Sequence, residues 1–297
     1  MEYVGYVKKD TGIYIRNIRH HYNGLSGRGI VEHLHQIRVN ARRLRNALSI
    51  HKKIFPARQL QQWDKSIRRA VEASSQARDL DVYLRFLNVY ARKPRGIPER
   101  RVLAAFIAAL EKKRERLQPR VIRDLNDFNR RNTLEDIARS LRHPIAGKKD
   151  NDPQKIYKVA RKKLLRRVKE LLVFEPFVRR PRRIRELHQM RIAAKHLRYT
   201  LEGFAPLYGP RLSLFIGRVL SFHRQLGDIH DYDVWTEHLA RYARLKVKSR
   251  KEMAVLNKVK RHCLGLRQRT YRVFVRNWST AREKNFFEDL MEYVYAH

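Results

Sequence analysis

The chain has 297 residues, 68 of them Lys or Arg and 29 Asp or Glu, so its formal charge is +39 and its pI is near 11.0. That imbalance opposes compaction by self-repulsion and points to a polyanionic partner: nucleic acid, an anionic membrane surface or a phosphate polymer. A single cysteine, Cys263, excludes an intramolecular disulfide and a cysteine-built zinc site, and the longest apolar run, 102–110, is too short to span a bilayer.

The first residues, MEYVGYVKKDTG, lack the apolar centre of a secretion signal, and EYVGYV is the one stretch that alternates as a strand would. Helical periodicity governs the rest. In the first half it predicts helices at 13–23, 29–51, 57–71, 74–92, 98–117 and 119–142. In the second it predicts 153–174, 183–204, 209–225, 228–246, 249–276 and 284–295. Pro56, Pro94–Gly96, Pro206, Gly209–Pro210 and Gly227 punctuate these segments. The segment HPIAGKKDNDPQ (143–154) combines breakers with polar residues near the midpoint and divides the chain into halves, 1–148 and 149–297. The expectation is an all-α, soluble, cytoplasmic protein of two helical bundles.

The helix at 29–51 carries two stripes. Leu34, Ile37, Ala41, Leu44 and Leu48 form an apolar face, and His35, Arg38, Arg42 and Arg45 run beside it at steps of three, four and three. The cationic stripe extends about 15 Å. The same text recurs 153 residues later. LHQIRVNARRLR (34–45) answers LHQMRIAAKHLR (187–198), so His188, Arg191, Lys195 and Arg198 repeat the stripe beside Leu187, Met190, Ala194, Leu197 and Leu201. RDLDVY (78–83) and HDYDVW (230–235), then LEDI (134–137) and FEDL (287–290), fall at nearly the same offset. Three anchors in register indicate an internal duplication, far longer in period than a solenoid repeat.

The catalytic signatures are weak. No phosphate-cradling glycine loop and no nucleophile elbow is present, and His33 and His35, two apart on a helix, point to different faces. Asp79/Asp81 and Asp231/Asp233 suggest a divalent metal, but residues two apart on a helix diverge. A structural role fits better: capping at helix starts, or pairing with arginines of a neighbouring helix. Cys263 reads as an inert core thiol. The cationic stripes are the stronger signal, because a guanidinium matches phosphate oxygens as a fork and lysine acts as a point charge. A histidine among these cations resists protonation until an anion binds beside it, or stays neutral and donates a hydrogen bond. Arg16, Arg19 and His20 in one half, and Lys158, Arg161, Lys162 and Arg166 in the other, could extend a basic groove formed by the two stripes. Tyr14, Tyr22, Tyr199 and Tyr271 could stack on bases or simply fill the core.

The doubled His-x-x-Arg-x-x-x-Arg/Lys-x-x-Arg pattern, with RDLDV and HDYDV behind it, resembles the CHAD family, the conserved histidine α-helical domain, over essentially the whole chain. The resemblance implies two pseudo-symmetric helical bundles with a basic groove or pore between them. It also implies binding of inorganic polyphosphate without catalysis or cofactor, and an association with polyphosphate granules. Its site residues would be His35, Arg38, Arg42 and Arg45 with His188, Arg191, Lys195 and Arg198. Arg42–Arg43 is matched by Lys195–His196, one strong cation fewer. Some relatives carry a β-strand tunnel domain that processes triphosphate; this sequence contains no such segment, and that activity is not carried over. The rival reading is a nucleic-acid-binding protein that senses phosphates without reading bases. Oligomeric state is left open.

Overall fold

A computed structural model describes residues 3–27, 29–93, 96–142, 154–247 and 249–296. Among them are ten α-helices and no strand. The chain divides into two compact units, the first ending at Lys155 and the second running from Ile156. Most of the expected linker, 143–153, lies outside the described residues.

Unit 1 contains α1 (Tyr3–Asn23), α2 (Ile30–Ile50), α3 (Ala57–Ala91), α4 (Ile97–Arg130) and α5 (Thr133–Ser140). Unit 2 contains α6 (Lys155–Leu172, its first residue the last of unit 1), α7 (Ile184–Tyr208), α8 (Leu212–Lys246), α9 (Arg250–Glu283) and α10 (Phe286–Ala296). The order of lengths repeats: two medium helices, a 35-residue helix, a 34-residue helix and a short closing one. In unit 1, α1 packs on α2, α2 on α3 and α3 on α4; in unit 2, α8 packs on both α7 and α9.

The structure corrects several helix boundaries. The described part of EYVGYV, from Tyr3 onward, is not a strand: it lies in α1, because Tyr3, Tyr6, Val7, Thr11, Ile15 and Ile18 are buried at steps of one, three and four along one helix face. The predicted pair 57–71 and 74–92 is one helix. Ser74 and Ser75 at the expected break donate their hydroxyls to carbonyls one turn back, at 2.6–3.0 Å, and so are satisfied within it. Likewise 209–225 and 228–246 merge into α8 through Gly227, since burial of Phe222, Leu226 and Ile229 outweighs a glycine cost of about 1 kcal/mol. Pro119 does not break α4, whose flanking Leu110, Val121 and Leu125 are anchored in the core, and Pro206 lies inside α7. The break comes instead at Asn132, in the left-handed region (φ 49°), between α4 and α5. Asn285 (φ 50°) makes the same turn between α9 and α10. Asparagine suits it because its short polar side chain tolerates that conformation.

The acidic pairs also differ from one expectation. Asp79 and Asp81 sit deep inside α3, and Asp231 and Asp233 inside α8, so none of them caps a helix start. The alternative, pairing with a neighbouring helix, is what occurs for Asp81 and Asp233. Arg114 of α4 donates Nε to Asp81 at 2.8 Å, and Arg267 of α9 donates Nε to Asp233 at 2.5 Å. All four side chains are 12–15% exposed. Each pair ties the two longest helices of its unit together.

Candidate anion-binding helices

On α2 the apolar stripe is buried as expected, Leu34, Ile37, Ala41, Leu44 and Leu48 all lying within 4% exposure. The flanking His35, Arg38, Arg42 and Arg45 are half-buried. On α7, Leu187, Met190, Ala194, Leu197 and Leu201 are buried, and His188, Arg191, Lys195 and Arg198 are half-buried beside them. Both stripes are therefore partly shielded from water, where a charge-assisted hydrogen bond to an anion is stronger than on an open face.

Within unit 1, α3 holds two of the arginines by their inner edge. Arg38 donates Nε to Ser75 at 3.0 Å, with its guanidinium 3.8 Å from Asp79. Arg45 donates Nε to Asp64 at 2.8 Å. Burial pushes the Asp64 carboxyl up, but the hydrogen bond and charge of Arg45, with Arg68 behind them, outweigh it and hold Asp64 below its ordinary value. Each guanidinium has five N–H donors, so Nε contacts orient the fork and leave donors over. Arg42 has no acidic partner among the described residues. Nδ1 of His35 is shielded from solvent without a hydrogen-bond partner. Burial, and then the charge of Arg78, hold His35 below the usual histidine range, with Arg38 and Arg42 adding to the effect against an opposing Glu32.

Within unit 2 the histidine has a different neighbour. Nδ1 of His188 lies 3.1 Å from Nδ1 of His230 on α8, with ring centroids 4.3 Å apart. A bond between two such nitrogens needs one N–H and one lone pair, so only one of the two Nδ1 atoms carries a proton. Burial first, then Arg191 and His188, push His230 down to about 4, and burial, Arg191 and Lys195 lower His188. Arg198 is held by Glu202 (3.1 Å) and His223 (3.4 Å), with its guanidinium 4.8 Å above the Tyr199 ring.

The extending residues are mostly on open faces. Arg16 and His20 are exposed, and Arg19 is ion-paired to Glu135. Lys158 and Lys162 are exposed, Arg161 lies 4.5 Å over the Tyr295 ring, and Arg166 pairs with Glu170 at 2.9 Å. Of the tyrosines, Tyr199 and Tyr271 are buried, Tyr271 donating to Val178 at 2.7 Å, and Tyr22 donates to Asn126 at 2.9 Å. Cys263 is fully buried, and burial pushes its thiol up to about 12. Among the described residues no three His, Cys, Asp or Glu side chains gather as a metal site would.

Two residues beside the stripes were missed by sequence reasoning: Arg78 and His230, the first residues of RDLDVY and HDYDVW. They occupy matched places on α3 and α8 and act on His35 and His188 respectively. The duplication contained the signal, since both hexapeptides open on a basic side chain one residue before the aspartates.

An all-helical chain with one His/Arg helix in each of two units defines a class of basic helical proteins. The chain belongs to the CHAD domain family, whose model matches residues 13–240. Two solved structures share the fold. The crystal structure of the CHAD domain from the plant Ricinus communis has a TM-score of 0.64 at 19% identity, over 93% of this chain and 92% of that one. PptA from Streptomyces chartreusis has a TM-score of 0.63 at 15% identity, over 93% of this chain and 97% of that one. No curated protein matches the sequence. No helix among the described residues is long and apolar enough to cross a membrane.

Proposed function

We propose that the protein binds linear inorganic polyphosphate without chemically altering it, through the His/Arg faces of α2 and α7. The observation that carries this reading is the half-buried cationic stripe, present once in each unit of a chain with a charge of +39. Family membership supports it. Binding rather than turnover is favoured because two of the aspartates that could recruit a metal, Asp81 and Asp233, are committed to Arg114 and Arg267. A polyanion gives up condensed counterions when lysines and arginines replace them, so affinity falls steeply with salt, a relation established for nucleic acid and applied here by analogy.

Calorimetry with long-chain polyphosphate tests the site against bulk charge. Arg42→Ala with Arg191→Ala is expected to weaken binding at least tenfold, about 1.4 kcal/mol. Arg92→Ala with Lys251→Ala removes the same charge from exposed positions and costs much less, through screened attraction alone. Equal losses would show that diffuse charge holds the polymer. Duplex DNA competing equally at matched phosphate and salt would favour the nucleic-acid reading, and steady phosphate release by the pure protein would overturn the non-catalytic one.

A further inference from the structure

Unit 2 contains a cleft of about 880 Å³ bordered by the first turn of α7 and the middles of α8 and α9. Its apolar floor is open to solvent: Ile184, Val234 and Leu264 are 48%, 46% and 43% exposed. Arg182, Arg185 and Lys260 also line it with one carboxylate, Glu237, and none of these four has an ion-pair partner among the described residues. Asp233 and Arg267 also border the cleft, but their charges are spent on each other.

This mixture is selective. A bare phosphate chain would find cations and leave three large apolar side chains in water. A purely apolar molecule would lie against three uncompensated cations. A molecule that joins phosphates to a flat apolar body satisfies both kinds of lining. The size fits a small molecule rather than a helix: the lining stretch of α8, from His230 to Ala240, spans only about 15 Å. The volume falls in the range of about 300–1,000 Å³ typical of small-molecule sites.

Unit 1 does not repeat all of these groups. Where unit 2 has Arg185, Leu264 and Lys260, the positions 153 residues earlier hold Glu32, Glu111 and Ile107, so two carboxylates would meet an anion there. The cleft chemistry is thus a property of one unit, unlike the doubled cationic stripe.

We propose that the unit 2 cleft binds a nucleoside polyphosphate. The base lies on Ile184, Val234 and Leu264, the phosphates meet Arg182, Arg185 and Lys260, and Glu237 accepts from a hydroxyl of the sugar or an amine of the base. This site stands apart from the polyphosphate reading, since of the stripe residues only His188, with its partner His230, belongs to both surfaces. Calorimetry with ATP, inorganic triphosphate and adenosine, at one salt concentration and without divalent metal, tests it. ATP is expected to bind at least about tenfold tighter than triphosphate, and adenosine weakest of the three. Leu264→Ser removes the advantage of ATP and leaves triphosphate unchanged, whereas Arg185→Ser weakens both. Both residues are exposed, so helical content and melting should hold in either variant. Equal binding of ATP and triphosphate, an ATP advantage that survives Leu264→Ser, or no ATP binding would each overturn the proposal. Loss of polyphosphate binding in the Arg42 and Arg191 variant with ATP binding retained would show the two sites to be separate.

Discussion

The two units place the same succession of helices around different interiors. At matched positions unit 1 buries Ala70, Val121, Leu125 and Leu134, where unit 2 buries Phe222, Phe274, Trp278 and Phe287. Phe222 lies 5.2 Å from Trp278 and 6.4 Å from both Phe274 and Phe287, ring centre to ring centre. Yet both units keep the Asp–Arg tie between the long helices, the left-handed asparagine, and the histidine at the head of a cationic stripe. Core volume can thus be redistributed among apolar side chains so long as the whole remains filled. Directional contacts leave less room, because an unpaired half-buried charge has no substitute partner.

The most disruptive way to break this comparison is to give unit 2 the residue of unit 1. Phe222→Ala should cost about 3–5 kcal/mol in urea unfolding, because the surrounding aromatic rings cannot collapse into the space. A loss below about 1 kcal/mol would mean that the aromatic cluster is not tightly packed. Next come the ion pairs. Asp233 receives two donors of Arg267, which also donates to the carbonyl of Pro181 at 2.9 Å; Asp81 receives one from Arg114. Asp233→Ala should therefore destabilise by about 3 kcal/mol and Asp81→Ala by somewhat less, near 2 kcal/mol. Equal shifts in Tm would show that the second donor adds nothing.

A gentler comparison uses pH. His230 is held down to about 4 in the folded state against an ordinary 6.5, so the unfolded chain takes up a proton that the folded one refuses. Its contribution to stability is complete above pH 6.5 and is lost as pH falls toward 4. Unit 1 has Arg78 instead of a histidine at the matched place. Melting followed from pH 7 to 4 should show a decline that His230→Gln flattens, and an unchanged slope in that variant would exclude the histidine pair as its source. The smallest effect is expected at the turns. Asn132→Gly and Asn285→Gly should change stability by less than about 1 kcal/mol, since glycine adopts the left-handed conformation freely but gains freedom in the unfolded chain.

The helical class and the two stripes were legible because each rests on a period or a recurrence in the text. Leu34, Ile37, Ala41, Leu44 and Leu48 could face only one way on a helix, and they do. What the text concealed depended on partners distant in sequence. Gly227 reads as a stop, and the predicted helices part at 118 just before Pro119, because propensity is local, whereas Phe222 and Leu125 hold those helices together through their neighbours. Arg114 and Arg267 were not singled out, since nothing in their own surroundings marks them among 68 basic residues. The engagement of Arg38 by Ser75 and of Arg198 by His223 belongs to helix packing and has no signature within α2 or α7 alone.

That long helices pack against their neighbours in the chain bears on how the protein is made. In unit 1, α1 meets α2, α2 meets α3 and α3 meets α4, so every major partner has been synthesised once residue 155 has emerged. Contacts so local favour rapid folding, and domains tend to fold as units during synthesis, the N-terminal one first. Unit 1 can therefore close its core while unit 2 is still being translated. A chain of this charge then never has to exist as one long, fully unfolded polycation.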